Sequence, residues 1–175
     1  MKRKIFVIAL VMAFLISGMN LAGIENGNIG KIGNEKRGME LSYTIDFSKP
    51  EITAKQYAEI SMKQCNSFIS IPGYPLLPEL VKVFELPFNA RDISVKVSVR
   101  GTTTSHIEKK VVAVPARLRL SDGKIVEGGE KSWVYKSHET FPSQWYDYHI
   151  GVGLNGYGER VIFVVVHVFP VRYVG

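Results

Sequence analysis

One cysteine, four histidines and a few closely spaced carboxylates are the side chains of this 175-residue chain most able to do chemistry. A hydrolytic nucleophile needs a general base in reach and a turn that binds an oxyanion. Cys65 stands in Lys63-Gln64-Cys65-Asn66, with no Gly-Cys or aromatic-Cys signature around it. None of His106, His138, His149 and His167 adjoins a Gly-Ser-Gly elbow, and no Gly-Lys-Ser/Thr phosphate loop occurs. Being the only cysteine, Cys65 forms no intrachain disulfide. It is expected either to be buried as a small apolar side chain or to be open to pairing between chains. His167 lies in an apolar run and reads as a hydrogen-bonded core or interface residue. Asp147 and His149, two apart on a predicted strand, share a face, and His138-Glu139 lies just upstream. Together they are a candidate oxygen/nitrogen metal site. They lack the ligand spacing of structural zinc and any cysteine pair, so the reading is a solvated strand edge with no metal or cofactor. Trp145, Tyr146 and Tyr148 close the aromatic block Phe141–Tyr148. They form either a sugar or ligand platform or, more simply, rings packed across a sheet.

The segments that must position these residues begin with an export signal. Met1-Lys2-Arg3-Lys4 is a basic start, Ile5 to Ile16 is unbroken apolar sequence, and Ser17-Gly18 and Leu21-Ala22-Gly23 offer small residues for cleavage. This apolar run is shorter than the roughly 20 residues of a membrane-spanning helix. Residues 1–22 are therefore expected to be a signal peptide, with a retained N-terminal anchor as the alternative and no other membrane contact. The net charge of +6 falls to +3 without Lys2, Arg3 and Lys4, which leaves no patch suited to nucleic acid. Residues 23–40, rich in Gly, Asn and charge, bury too little apolar area to offset ordering entropy and read as a flexible linker. About 150 residues then remain, enough for one domain with its own core and no disulfide staple.

From Leu41 the pattern is that of strands. Leu41, Tyr43, Ile45 and Phe47 alternate with Ser42, Thr44 and Asp46. Tyr57–Met62, Ser67–Ile71, Val81–Leu86, Ile93–Val99, Ile107–Val114, Trp133–Tyr135 and Tyr146–Leu154 are further candidates. Gly101-Thr102-Thr103-Thr104 reads as the turn between two of them. Ser121-Asp122-Gly123 marks a hairpin between Leu118–Leu120 and Lys124–Val126, because Asp-Gly suits a type I′ turn. The final run Val161–Phe169 is apolar at both parities, as in a central strand covered on both faces. A helix over Thr53–Met62 is disfavoured by β-branched neighbours. The expected fold is all-β, a single antiparallel β-sandwich spanning residues 41–175.

Between these strands lies Pro72-Gly73-Tyr74-Pro75-Leu76-Leu77-Pro78, where three prolines fix φ and remove donors. It must be a rigid, extended lead-in to the next strand. This segment with Leu86-Pro87-Phe88-Asn89-Ala90, then Val114-Pro115-Ala116, then Phe141-Pro142 through Gly151–Leu154 to Val168-Phe169-Pro170-Val171-Arg172-Tyr173, resembles the pro-domain of gingipain-like C25-family cysteine peptidases. The likeness spans about Tyr43 to Tyr173.

That resemblance implies a β-sandwich that assists folding of a gingipain-like peptidase, covers its active site and is removed on activation. The implied partner is the catalytic domain of such a peptidase. The implied docking residues are Pro72, Gly73, Tyr74, Pro75 and Pro78. Family pro-domains can present a basic residue to a cleft selective for Arg or Lys, and Arg117, beside Pro115-Ala116, is the candidate for that role. The family's catalytic domain is not represented in this chain, so the expectation is a secreted, non-catalytic module. The competing expectation is a secreted or cell-surface sandwich, derived from such a pro-domain, that binds glycan or envelope.

Overall fold

The computed structural model describes residues 3–17, 39–119, 125–128 and 132–175, with residues 8–17, 39–40, 116–119, 125–128 and 132 described as backbone only. Residues 23–38 of the expected linker and the Ser121–Gly123 turn lie outside the described residues. The strands in chain order are β1 (Arg3–Ser17), β2 (Met39–Ile45), β3 (Glu51–Ala54), β4 (Ala58–Ser61), β5 (Ser67–Phe68), β6 (Pro78–Pro87), β7 (Arg91–Ile107), β8 (Ala116–Arg119), β9 (Ile125–Gly128), β10 (Tyr146–Leu154), β11 (Arg160–Val168) and β12 (Val171–Val174), with one short helix, α1 (Ser132–Lys136). The chain is all-β. All the strand ladders among the described residues are antiparallel.

Two four-stranded sheets carry the fold. In one, β10, β11, β6 and β5 lie side by side. The register runs Tyr146↔Val168 to Leu154↔Arg160 on one side of β11 and Leu80↔Val168 to Pro87↔Val161 on the other. Prolines bound β6 at both ends, where a missing N–H costs no interior ladder bond. In the other sheet β1 is central, with β7 along one edge and β12 and then β2 along the opposite edge.

That second sheet includes part of the segment expected to be the signal. The sandwich was expected over residues 41–175, and Arg3–Ser17 is a further strand paired from Arg3↔Ile107 to Ser17↔Arg91. The physical reason is the same apolar run that reads as a signal. Ile5 and Val7 are buried against Val171 and Tyr173, and Arg3 donates from Nη1 to the Glu108 carbonyl. An apolar, β-branched segment satisfies a sheet as readily as it does an export pathway.

Two further corrections concern local geometry. Gly101 does not reverse the chain. It sits at φ 68° within the continuous β7, where the register with β1 shifts between Val7 and Ala9. A left-handed glycine of this kind makes a bulge that bends a strand without ending it. Trp133–Tyr135 is one turn of helix rather than strand: Ser137 N–H donates to the Trp133 carbonyl at 2.7 Å, and the adjacent Val134 and Tyr135 are both buried. Strand alternation cannot bury two neighbours on one side, whereas a helical turn can. No helix forms over Thr53–Met62: Thr53 and Ala54 end β3, Ala58–Ser61 is β4, and the two strands pair as a hairpin.

The core has two parts. Leu80, Leu86, Val95, Ile162, Val164, Val166 and Val168 fill the space between the β10-β11-β6 sheet and β2/β7, with Leu41, Ile45, Val97, Tyr146 and Tyr148 at its margin. Face-to-face packing of two sheets is compatible with the expected sandwich. β11 is central; Ile162, Val164, Val166 and Val168 on one face and Val161 on the other are buried, while Phe163, Val165 and His167 are half-buried. The second part gathers Ile5, Val7, Ala58, Ile60, Leu77, Ile107, Val111, Val134, Tyr135, Val171 and Tyr173. The bend at Gly101 carries β7 from Val95 in one part to Ile107 in the other.

Candidate functional site

Pro72 and Gly73 occupy the two central positions of a tight turn, in which Tyr74 N–H donates to the Ile71 carbonyl at 3.0 Å and Gly73 has φ 82°. Pro followed by a left-handed Gly is the signature of a type II turn, so the dipeptide dictates its own geometry. The chain then lies antiparallel against residues 112–114. Gly73 N–H donates to the Val114 carbonyl at 2.8 Å, Val114 N–H to Tyr74 at 2.8 Å, and Leu76 N–H to Val112 at 2.9 Å. Pro75 pairs with Ala113 where no donor is required of it. Leu77 is fully buried beneath, and Pro75 and Pro78 are buried as well. Of the five expected docking residues in this segment, Pro72 and Tyr74 are therefore the ones with exposed or half-exposed side chains.

Tyr74 is the hinge between this segment and the last one. Its ring lies 4.9 Å from that of Phe141 and meets Trp133 edge-on at 5.7 Å. Phe141 and Tyr173 exchange backbone hydrogen bonds of 2.8 and 2.7 Å. Arg172 donates from Nε to the Pro142 carbonyl at 2.8 Å and from Nη2 to Ser143 at 2.7 Å, tying down the loop that follows the cis Phe141–Pro142 bond. Partial burial lowers the affinity of this guanidinium for its proton. The result is a groove of about 450 Å³ lined by Ile71, Tyr74, Trp133, Phe141 and Pro142 together with Glu139, Thr140 and Ser143. Ile71 and Trp133 are 44% and 49% exposed, so this apolar surface faces solvent. Trp133 and Ile71 were missed as site residues. A tryptophan read as strand gives no sign of projecting from a helical turn.

Arg117 follows this groove's β-paired segment by three residues and lies in β8 opposite Glu127, described as backbone only. The hairpin expected around Ser121-Asp122-Gly123 is present as the β8–β9 pair.

The remaining candidates do not join the groove. Trp145 is covered by Arg172, whose guanidinium carbon sits 4.3 Å over the ring. Tyr146 and Tyr148 are half-buried against the sheet core. This is the packed arrangement rather than an open aromatic platform. His167 Nδ1 lies 2.7 Å from Glu79 Oε1, a partly buried pair joining β11 to β6. A charged residue within the apolar run around Leu80 was the available signal for that partner. Asp147 and His149 do share a face, 3.7 Å apart and both exposed. Among the described residues no group of three or more His, Cys, Asp or Glu is arranged to hold a metal. Burial, then the Glu79 carboxylate, pushes the Cys65 thiol from 9.0 up to about 12, the opposite of what a nucleophilic thiolate requires. No described helix is long and apolar enough to cross a membrane.

Comparison with protein families, curated proteins and solved structures finds no match for this chain.

Proposed function

We propose that this chain is an exported, non-catalytic pro-domain-like module that assists folding of, and inhibits, a gingipain-like cysteine peptidase. One observation carries the reading. Three segments far apart in sequence, Pro72–Pro78, Val114–Ala116 and Phe141–Tyr173, are the ones that resemble such pro-domains. The first two are hydrogen-bonded to each other, and Tyr74 joins the first to Phe141 of the third. The first and third contribute Tyr74, Phe141 and Pro142 to one exposed apolar groove. A surface that is already ordered loses little entropy on binding. A partner bound to the native peptidase stabilises it by mass action. The same contact blocks a cleft it covers. The protonated Cys65 thiol supports a non-catalytic role for the chain itself.

The test is inhibition in trans. Folded wild-type protein is expected to inhibit a gingipain-like peptidase from the same organism. Trp133→Ala and Tyr74→Ala, which truncate the groove's rings, should raise the inhibition constant about tenfold or more, as loss of an interface aromatic anchor does. Arg117→Ala should add to that only where the cleft prefers basic residues. Absence of inhibition by the folded wild-type protein would end this reading while leaving the fold intact.

A further inference from the structure

The outer edge of β10 is a nine-residue ladder with no second partner strand among the described residues. Its backbone orientation follows from three bonds. The Trp145 carbonyl accepts from Phe169 N–H at 2.8 Å and Asn155 N–H donates to Glu159 at 2.9 Å, so odd-numbered residues turn toward β11. Tyr148 N–H, by contrast, donates to the Asp147 carboxylate at 2.8 Å. In an antiparallel strand, N–H and C=O of one residue point the same way and alternate along the chain. Tyr146, Tyr148, Ile150, Val152 and Leu154 therefore direct both groups outward. Beyond the Asp147 carboxylate, the devices that usually blunt an edge are missing: β10 has no proline and no lysine, and its register with β11 runs without a bulge. Ile150, Val152 and Leu154 are 46%, 65% and 64% exposed. Asp147 alone occupies an outward donor.

We propose that this edge pairs with the same edge of a second copy, antiparallel about a twofold axis at Ile150, joining two four-stranded sheets into one. The sequence of β10 is complementary to itself in that register. Ile150 is the midpoint of Tyr146–Leu154, so centring the axis there is the only way to pair all nine residues. On one face Ile150 meets Ile150, Val152 meets Tyr148 and Leu154 meets Tyr146. This gives aromatic and β-branched pairs of the kind that stabilise sheets. On the other face Asp147 meets Gly153 and His149 meets Gly151, so no like charges stand opposite one another. The glycines fall at the more closely spaced positions, where opposed Cα atoms come to about 4.5 Å. An unrelated strand would have to reproduce this pattern by chance. A second copy carries it necessarily, and an isologous twofold contact is the usual form of self-association.

Sedimentation equilibrium of the full chain tests the pairing. Mass should rise with concentration from 19.6 kDa toward twice that value. Ile150→Lys places two ammonium groups opposite each other and should weaken association at least tenfold. Asp147→Ala frees the Tyr148 donor and should strengthen it. Register is read by disulfide trapping in a Cys65→Ser background. Ile150→Cys should self-link rapidly, since hydrogen-bonded antiparallel pairs hold Cα atoms about 5.5 Å apart. Val152→Cys faces Tyr148 of the other copy and should self-link far more slowly. The pairing is overturned by a chain that stays monomeric up to about 1 mM, where association would be worth only about 4.1 kcal/mol. Association insensitive to Ile150→Lys, equal trapping at positions 150 and 152, or mass gained only when a peptidase partner is added would each overturn it too.

Discussion

At the scale of single residues, Cys65 and the Glu79–His167 pair have measurable consequences. Cys65 holds its proton to about pH 12 in the folded chain, against 9.0 for an ordinary thiol. Above pH 9 the unfolded chain releases that proton first and so binds fewer protons than the folded one. Linkage then makes stability fall as pH rises between about 9 and 12, with the contribution fully present below 9. Cys65→Ser should remove that part of the alkaline loss, as read from denaturant midpoints at pH 8 to 11. Alkylation of native Cys65 at neutral pH should be slow and should accelerate on unfolding. Glu79 is 8% exposed and accepts from His167 at 2.7 Å. Glu79→Ala leaves the imidazole without its partner and should cost about 1–3 kcal/mol in urea unfolding. A change below a few tenths would show that water replaces the contact.

At the scale of elements, β11 and the bend in β7 are the sensitive places. Val164 is fully buried at the middle of β11, between Ile150 and Phe84 of the neighbouring strands. Val164→Asp buries an unpaired carboxylate at a cost of several kcal/mol and should abolish the cooperative thermal transition. An unchanged transition would place the strand at the surface. Gly101 has open space around the position of an added Cβ, so a substitution there meets no clash. Its φ of 68° nevertheless disfavours any branched side chain. Gly101→Val should therefore lose about 1–2 kcal/mol, a purely backbone effect, and Gly101→Asn should recover much of it.

At the scale of the whole molecule, the first strand decides how the intact chain and a processed chain differ. β1 contributes Ile5 and Val7 to one part of the core and pairs with β2, β7 and β12. A chain beginning at Gly23 lacks these contacts and leaves ladder groups of three strands unpaired. Its denaturant midpoint should fall well below that of the intact chain, and it should bind a hydrophobic dye more strongly. Equal midpoints would mean that the sheet closes without this strand. The groove proposed for peptidase docking is lined by Tyr74, Trp133 and Phe141, none of which belongs to β10, so different substitutions test the two surfaces.

The sequence alone determined what depends on neighbours in the chain. The alternation at Leu41–Phe47 and Ile93–Val99, the apolar run of β11, the Pro72-Gly73 turn and the Asp-Gly hairpin all express local periodicity or a residue's own φ. Strands and turns of that kind are legible one segment at a time. Three decisions belonged to the tertiary structure. Whether Arg3–Ser17 enters a sheet depends on the presence of β7 and β12 to pair with it, since the same apolar run satisfies an export signal. Whether Gly101 turns or bends a strand depends on a partner ladder that continues past it. Whether Trp133 stands on a strand or a helical turn depends on the pocket that takes both Val134 and Tyr135. The groove joins residues from 71 to 142 through non-local packing, and no spacing within either segment encodes that contact.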